Sequence, residues 1–227
     1  MDKPIYELLY KTEEEYWWFV GQRFLLNQFL ERYYNSRKNL TLLDVGCGTG
    51  LTLNTLKNHG KAYGIDVSND SLYFCRIRGI KNIKKSNVMD IKFKNNTFDA
   101  VTSLGVFYHK KVKDDLKGFR EIYRVLKPNG RLFFFDCAMM SLFGKHDIAF
   151  HGVRRYSKKE LKSKLEKVGF KIEKISYINS LLFPPVYLKR KIEKLSNSEP
   201  KSEIQESINP LFNEVLKIIY KVEIIGL

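Results

Sequence analysis

With 227 residues, 44% of them hydrophobic and 14% aromatic, the chain carries too much apolar surface to stay unfolded, and its length suits one domain with appendages better than two full domains. Forty Lys and Arg against 25 Asp and Glu leave a net charge of +15, and the excess begins only after residue 50, because residues 1–50 hold six basic and seven acidic groups. Three widely spaced cysteines, Cys47, Cys75 and Cys137, form no CxxC pair, which argues against a disulfide framework or a zinc knuckle and for a reducing compartment.

The opening segment, MDKPIYELLYKTEEEYWW, has an acidic cluster where a signal peptide needs a cationic start and an apolar run. No window holds 18 uncharged apolar residues, so the expectation is a soluble, cytoplasmic protein. Residues 1–36 read as a helical cap dense in aromatics, with Tyr16, Trp17, Trp18, Phe19 and Phe24 close together. From Leu40 the short apolar runs TLLDV, AYGID, FDAVTSL and RLFFFD alternate with the amphipathic stretches LTLNTLKNHG, NDSLYFCRIRG and DDLKGFREIYRVLKPNG. That alternation predicts βαβ units and an α/β, doubly wound, mostly parallel sheet with helices on both faces, spanning residues 37–180. Gly60, Gly79 and Gly130 mark helix ends, and Lys127-Pro128-Asn129-Gly130 reads as a helix exit and turn. Ser157 and Glu160 form a capping box for the next helix, and FKIEKISYI reads as a further strand, for six or seven strands in all. Residues 181–227 read as a C-terminal arm of two helices, around Tyr187–Leu195 and Leu211–Ile225, joined by the polar SNSEPKSE.

The most specific stretch is Leu42-Leu43-Asp44-Val45-Gly46-Cys47-Gly48-Thr49-Gly50, an apolar strand followed by GxGxG. Alternate glycines let the backbone turn sharply and approach a ligand, and the next helix offers free N–H groups. A dinucleotide fingerprint needs its third glycine where Leu51 stands, which disfavours NAD. A second strand ends at Asp66, whose carboxylate can accept hydrogen bonds from ribose hydroxyls and repels a 2′-phosphate.

With DVGCGTG, GIDVS, FDAV, a histidine after the fourth strand and RVLKPNG in order, residues 16–180 resemble the class I S-adenosylmethionine-dependent methyltransferases, in particular their small-molecule branch. The resemblance implies a Rossmann-like fold, S-adenosyl-L-methionine as cofactor and S-adenosylhomocysteine as product. It places Asp44, Gly46 and Gly48 at the methionine portion, with Cys47 and Gly50 also cofactor-binding, Asp66 at the ribose, and Val67 beside the adenine. Asn87, next to Val88, stands where the family usually has Asp, and its amide carbonyl can still accept from the adenine amino group. Leu104 would lie under the cofactor, and His109 matches a histidine found five residues on. Glu121 and Arg124 read as a structural salt bridge.

Methyl transfer from a sulfonium needs alignment more than acid–base chemistry, and any base must come from loops above the strand ends. The 138–156 loop gathers His146, Asp147, His151, Arg154, Arg155 and Tyr156, and together with EYWWFVGQR it resembles a methyltransferase subset with WWF and HD…H.RRY segments. Candidate catalytic residues are His109, His146, Asp147, His151 and Tyr156. Arg154 and Arg155 offer bidentate donors to an anionic acceptor, or else are surface charge. Trp18 and Arg23 are further acceptor-side candidates, the tryptophans serving as core packing or as an aromatic lid over the sulfonium. No metal site is expected, because His146 and His151 lack the i, i+4 spacing. The expected function is methyl transfer to a small-molecule or membrane-associated acceptor, anionic or lipid-linked. RNA methylation, or a non-catalytic adaptor, are the alternatives. Nucleic acid is disfavoured by the missing NPPY-like tetrapeptide after the fourth strand. The apolar residues beside Lys189, Arg190, Lys191 and Lys194 add an expected peripheral membrane contact through the arm.

Overall fold

The computed structural model describes residues 3–35, 37–195, 199, 202, 204 and 208–226. Two helices, α1 (Lys3–Thr12) and α2 (Trp17–Tyr34), precede the sheet. The strands β1 (Leu40–Val45), β2 (Gly60–Asp66), β3 (Ile83–Lys85), β4 (Phe98–Leu104) and β5 (Leu126–Phe135) pair in the order β3-β2-β1-β4-β5, every neighbour parallel. Between them run α3 (Leu51–Lys57), α4 (Asn69–Ile77) and α5 (Asp115–Val125).

The near-continuous apolar character of β1 reflects burial on both faces. Leu43 and Val45 point into one core with Val101, Phe119, Ile122 and Val125, while Leu40 and Leu42 point into the other with Leu26, Leu30, Leu53, Leu56 and Phe133. In α5 the buried residues Gly118, Phe119, Ile122 and Val125 fall on one helical stripe, and the Asp114 side chain caps the helix by accepting from the Lys117 N–H at 2.9 Å. Glu121 and Arg124 pair at 2.7 Å, and the Arg124 guanidinium also donates to the carbonyls of Ile91 and Phe93.

Three local features depart from the sequence reading. The described residues form five strands, because 170–178 joins no ladder: Phe170 and Ile172 pack on the core and Glu173 meets Arg131 at 3.1 Å, while the segment's other charges face outward. The Lys127–Gly130 turn lies inside β5 as a bulge, since Phe98 pairs with Leu126 and Ala100 with Arg131. Pro128, together with Asn129 at φ 64°, breaks that edge for further pairing. Within 138–156 the chain makes a short 3-10 turn (Met140–Leu142) and α6 (Lys145–Ala149).

Next comes α7 (Lys158–Val168), with the Ser157 hydroxyl accepting from the Glu160 N–H at 3.2 Å and Gly169 in the left-handed region closing it. The arm holds α8 (Phe183–Leu195), which begins before Tyr187 with prolines in its first turn, and α9 (Pro210–Ile225). Much of the polar linker between them lies outside the described residues. No described helix is long and apolar enough to cross a membrane.

Candidate cofactor and acceptor site

Strand order reverses between β1 and β4, and in open α/β sheets ligands bind outside the carboxyl ends of the strands at that point. Here β1 runs into the glycine loop. Gly46 adopts φ 71° against Val106, whose Cγ2 would lie 2.4 Å from an added Cβ. Gly48 adopts φ 54°, yet an added Cβ would meet nothing within 4 Å, so bare backbone faces open space. The loop is held from behind: the Gly46 and Cys47 N–H groups donate to the Ile65 carbonyl, and the Ser71 hydroxyl donates to the Gly48 carbonyl at 2.5 Å.

Asp66, 7% exposed, accepts from the Ser68 N–H at 2.8 Å and the Gly48 N–H at 3.1 Å. Burial raises its carboxyl and those bonds pull it back. Each oxygen keeps a lone pair for a further donor. A bare left-handed glycine beside a buried carboxylate at a strand end is a cradle that fits a ribose and an amino-acid tail. Asp44 is fully buried and accepts from the Thr102 hydroxyl at 2.6 Å, tying β1 to β4, and burial pushes its carboxyl up to about 7. Asn87 sits in the turn after β3, its carbonyl oxygen accepting from the Met89 N–H at 2.9 Å. Val88 is in the core, whereas Val67 and Leu104 are half-buried at the strand ends.

The helical cap reaches this loop. Tyr6 is 2% exposed, and its hydroxyl is raised by burial and by nearby Asp66, with Ser68 as a hydrogen-bond partner. Glu13 meets the Thr49 hydroxyl and pairs with Arg78 at 2.9 Å, and Arg78 also pairs with Glu14 at 2.5 Å. Arg23 donates to the carbonyls of Glu13 and Glu14 at 2.7 and 3.0 Å, satisfying the frayed end of α1. Burial pushes the Glu13 carboxyl up to about 7. Neither Tyr6 nor Glu13 stood out in the sequence, since nothing local ties residue 13 to residue 49.

Around the 138–156 segment and the loop after β4 the polar residues are engaged within the protein. Asp136, just past β5, accepts from the N–H groups of Val106, Phe107, Tyr108 and Cys137, shaping the loop after β4, and burial pushes its carboxyl up to about 7. The buried His109 ring accepts from the Lys111 N–H through Nδ1 at 3.0 Å and lies edge-on to His151, and burial, with positive charge around it, lowers it to about 3. Asp147, 1% exposed, takes a two-point ion pair from Arg155, whose remaining donor reaches the Ala138 carbonyl. Arg154 donates to the Phe107 carbonyl at 3.1 Å. The Tyr156 hydroxyl donates to Asp115 at 3.0 Å, and the His146 ring lies tilted against Phe150, 4.6 Å between centroids. The Arg pair, Asp147 and Tyr156 thus have protein partners, and no three described His, Cys, Asp or Glu residues converge on a metal position. Trp17 and Trp18 pack edge-on against Tyr220 of α9.

Residues 43–134 match the methyltransferase-domain family. The chain is 31% identical over 172 residues to uncharacterized protein MJ0638 of Methanocaldococcus jannaschii, covering 72% of each chain. It is 33% identical over 123 residues to a demethylmenaquinone methyltransferase of Geobacillus stearothermophilus, where the match covers 50% of this chain and about half, 52%, of that one. Among solved structures, a SAM-dependent methyltransferase from Aquifex aeolicus superposes with a TM-score of 0.56 at 23% identity, covering 77% of this chain and 91% of that one. The chain belongs to the class I S-adenosylmethionine-dependent methyltransferases, and S-adenosylmethionine is its cofactor.

Proposed function

We propose that the protein methylates a small, largely apolar acceptor that carries a ring hydroxyl or an activated ring carbon, in the manner of a lipid-linked quinol. The observation that carries the donor half is the bare Gly48 backbone beside buried Asp66. Support for the acceptor half comes from the 138–156 segment, whose arginines are engaged internally while Met140, Ile148 and Val153 are exposed. Relatives named demethylmenaquinone methyltransferase and 2-phytyl-1,4-naphtoquinone methyltransferase point the same way. When bound, the cofactor's sulfonium supplies an electrophilic methyl group and a neutral leaving group. Asp66 would accept the ribose hydroxyls, and the Gly46–Gly50 backbone would hold the amino-acid end. Asp136 fixes the Val106–Tyr108 backbone above the strand ends. His109 stays neutral across the physiological range, its Nδ1 accepting a backbone N–H, so it orders the loop and takes no proton there. The reading therefore favours an acceptor that is already nucleophilic. The exposed face of α8, where Leu188 and Ile192 neighbour Lys189, Lys191 and Lys194, suits an anionic lipid surface from which such an acceptor would be drawn.

The test supplies methyl-labelled S-adenosylmethionine with a demethylated quinol in detergent, a catechol, and bulk RNA. Label extracted with the quinol supports the reading; label confined to RNA overturns it.

A further inference from the structure

Helix α9 is apolar on two faces. Leu216, Tyr220 and Ile224, with Asn213, are buried, and the helix packs against α2, where the Asn213 amide donates to the Glu15 carbonyl and accepts from the Trp17 N–H. On the other face Leu211, Val215, Ile218, Val222 and Ile225 remain 44–79% exposed. Their spacing alternates four and three residues, which is the d-a-d-a-d seam of a heptad, with Val at both a positions and Leu or Ile at every d. Such a narrow seam fits the ridge of a facing helix. A helix lying on lipid instead presents a broad apolar face lined with Lys and Arg, whereas α9 carries Lys217 and Lys221 against Glu214 and Glu223.

Charge at the seam's edges gives its partner and direction. Glu214 and Lys221 stand seven residues apart on one edge, on either side of Ile218, while Phe212 and Ile219 stand on the other. Glu214 also pairs with Lys217 at 2.7 Å, and the Lys221 ammonium lies 5.8 Å from the Phe24 ring centre. We propose that the seam docks antiparallel on α9 of a second copy of this chain. A two-fold axis across antiparallel helices brings like edges together, so Glu214 meets Lys221 of the partner subunit at two symmetric places. Parallel pairing would set each charge against the apolar edge and leave it unpaired.

Sedimentation velocity on the full chain at micromolar concentrations reads the outcome. The expected result is a dimer that Ile218→Lys weakens by at least about tenfold, with the far-ultraviolet spectrum and S-adenosylhomocysteine binding unchanged because the side chain is exposed. Glu214→Lys should weaken the dimer, and the swap Glu214→Lys/Lys221→Glu should restore it. A monomer at every concentration, a dimer indifferent to Ile218→Lys, or single and double charge variants that weaken alike each overturn the proposal. So does a monomer that binds neutral lipid vesicles and loses that binding on Ile218→Lys, which would assign the seam to lipid.

Discussion

Replacing Gly48 with Ala separates cofactor contact from stability. A left-handed non-glycine residue costs about 1–2 kcal/mol, partly offset by about 0.4–1 kcal/mol from the stiffer unfolded chain. Since the new Cβ meets no protein atom within 4 Å, no clash adds to that. The net cost of about 1 kcal/mol lowers Tm by about 2–4 °C in a chain of this size. The methyl group instead enters the space the cofactor's backbone contact needs, and an overpacked contact costs about 1–3 kcal/mol, or about 5- to 150-fold in S-adenosylhomocysteine affinity. Gly46→Ala is the control: its Cβ would lie 2.4 Å from Val106, so stability falls by several times more. Calorimetric titration and thermal melts of both variants give the answer. Unchanged affinity in Gly48→Ala, or a stability loss equal to that of Gly46→Ala, would refute the assignment of that open space to the cofactor.

Asp66→Ala should weaken S-adenosylhomocysteine by about 1.5–3 kcal/mol through lost charged hydrogen bonds, and titration of the variant within twofold of wild type would remove Asp66 from the site. Glu13, Asp44 and Asp136 all have folded carboxyls raised to about 7, so their protonated forms stabilise the native state at acid pH and that contribution is lost as pH rises towards 7. Urea midpoints should therefore fall between pH 5 and pH 7.5, and fall less in Asp44→Asn; a midpoint that rises over this range counts against the burial account. Vesicles rich in anionic lipid should sediment the protein at low salt, with less bound at high salt or in Leu188→Ser/Ile192→Ser, and equal binding to neutral vesicles argues against the role of α8.

The sheet and cofactor loop were legible because they are local. GxGxG after a buried strand, and an acid ending the next strand, specify a backbone shape within a few residues of one another. The 138–156 segment was not. Arg154 and Arg155 read as an anion site, but their partners, the Phe107 carbonyl, Asp147 and the Ala138 carbonyl, are supplied by chain folding. Tyr6 and Glu13, and Asp136 toward the Val106–Tyr108 backbone, act across 28 residues or more, at separations where periodicity carries no signal. The Trp17–Trp18 pair had two readings, and its contact with Tyr220 depends on α9, some 200 residues away. FKIEKISYI has a strand's composition, but strandhood needs a neighbour, and none of the five described strands pairs with it.

The clasp between α1 and the glycine loop is made by side chains that share one carboxylate. Thr49 is held by Glu13, Glu13 by Arg78, and the carbonyls of Glu13 and Glu14, just past α1, by Arg23. Loss of the Glu13 carboxylate would free Thr49 and one side of Arg78 at once, so damage to the first helix reaches the loop that ends β1.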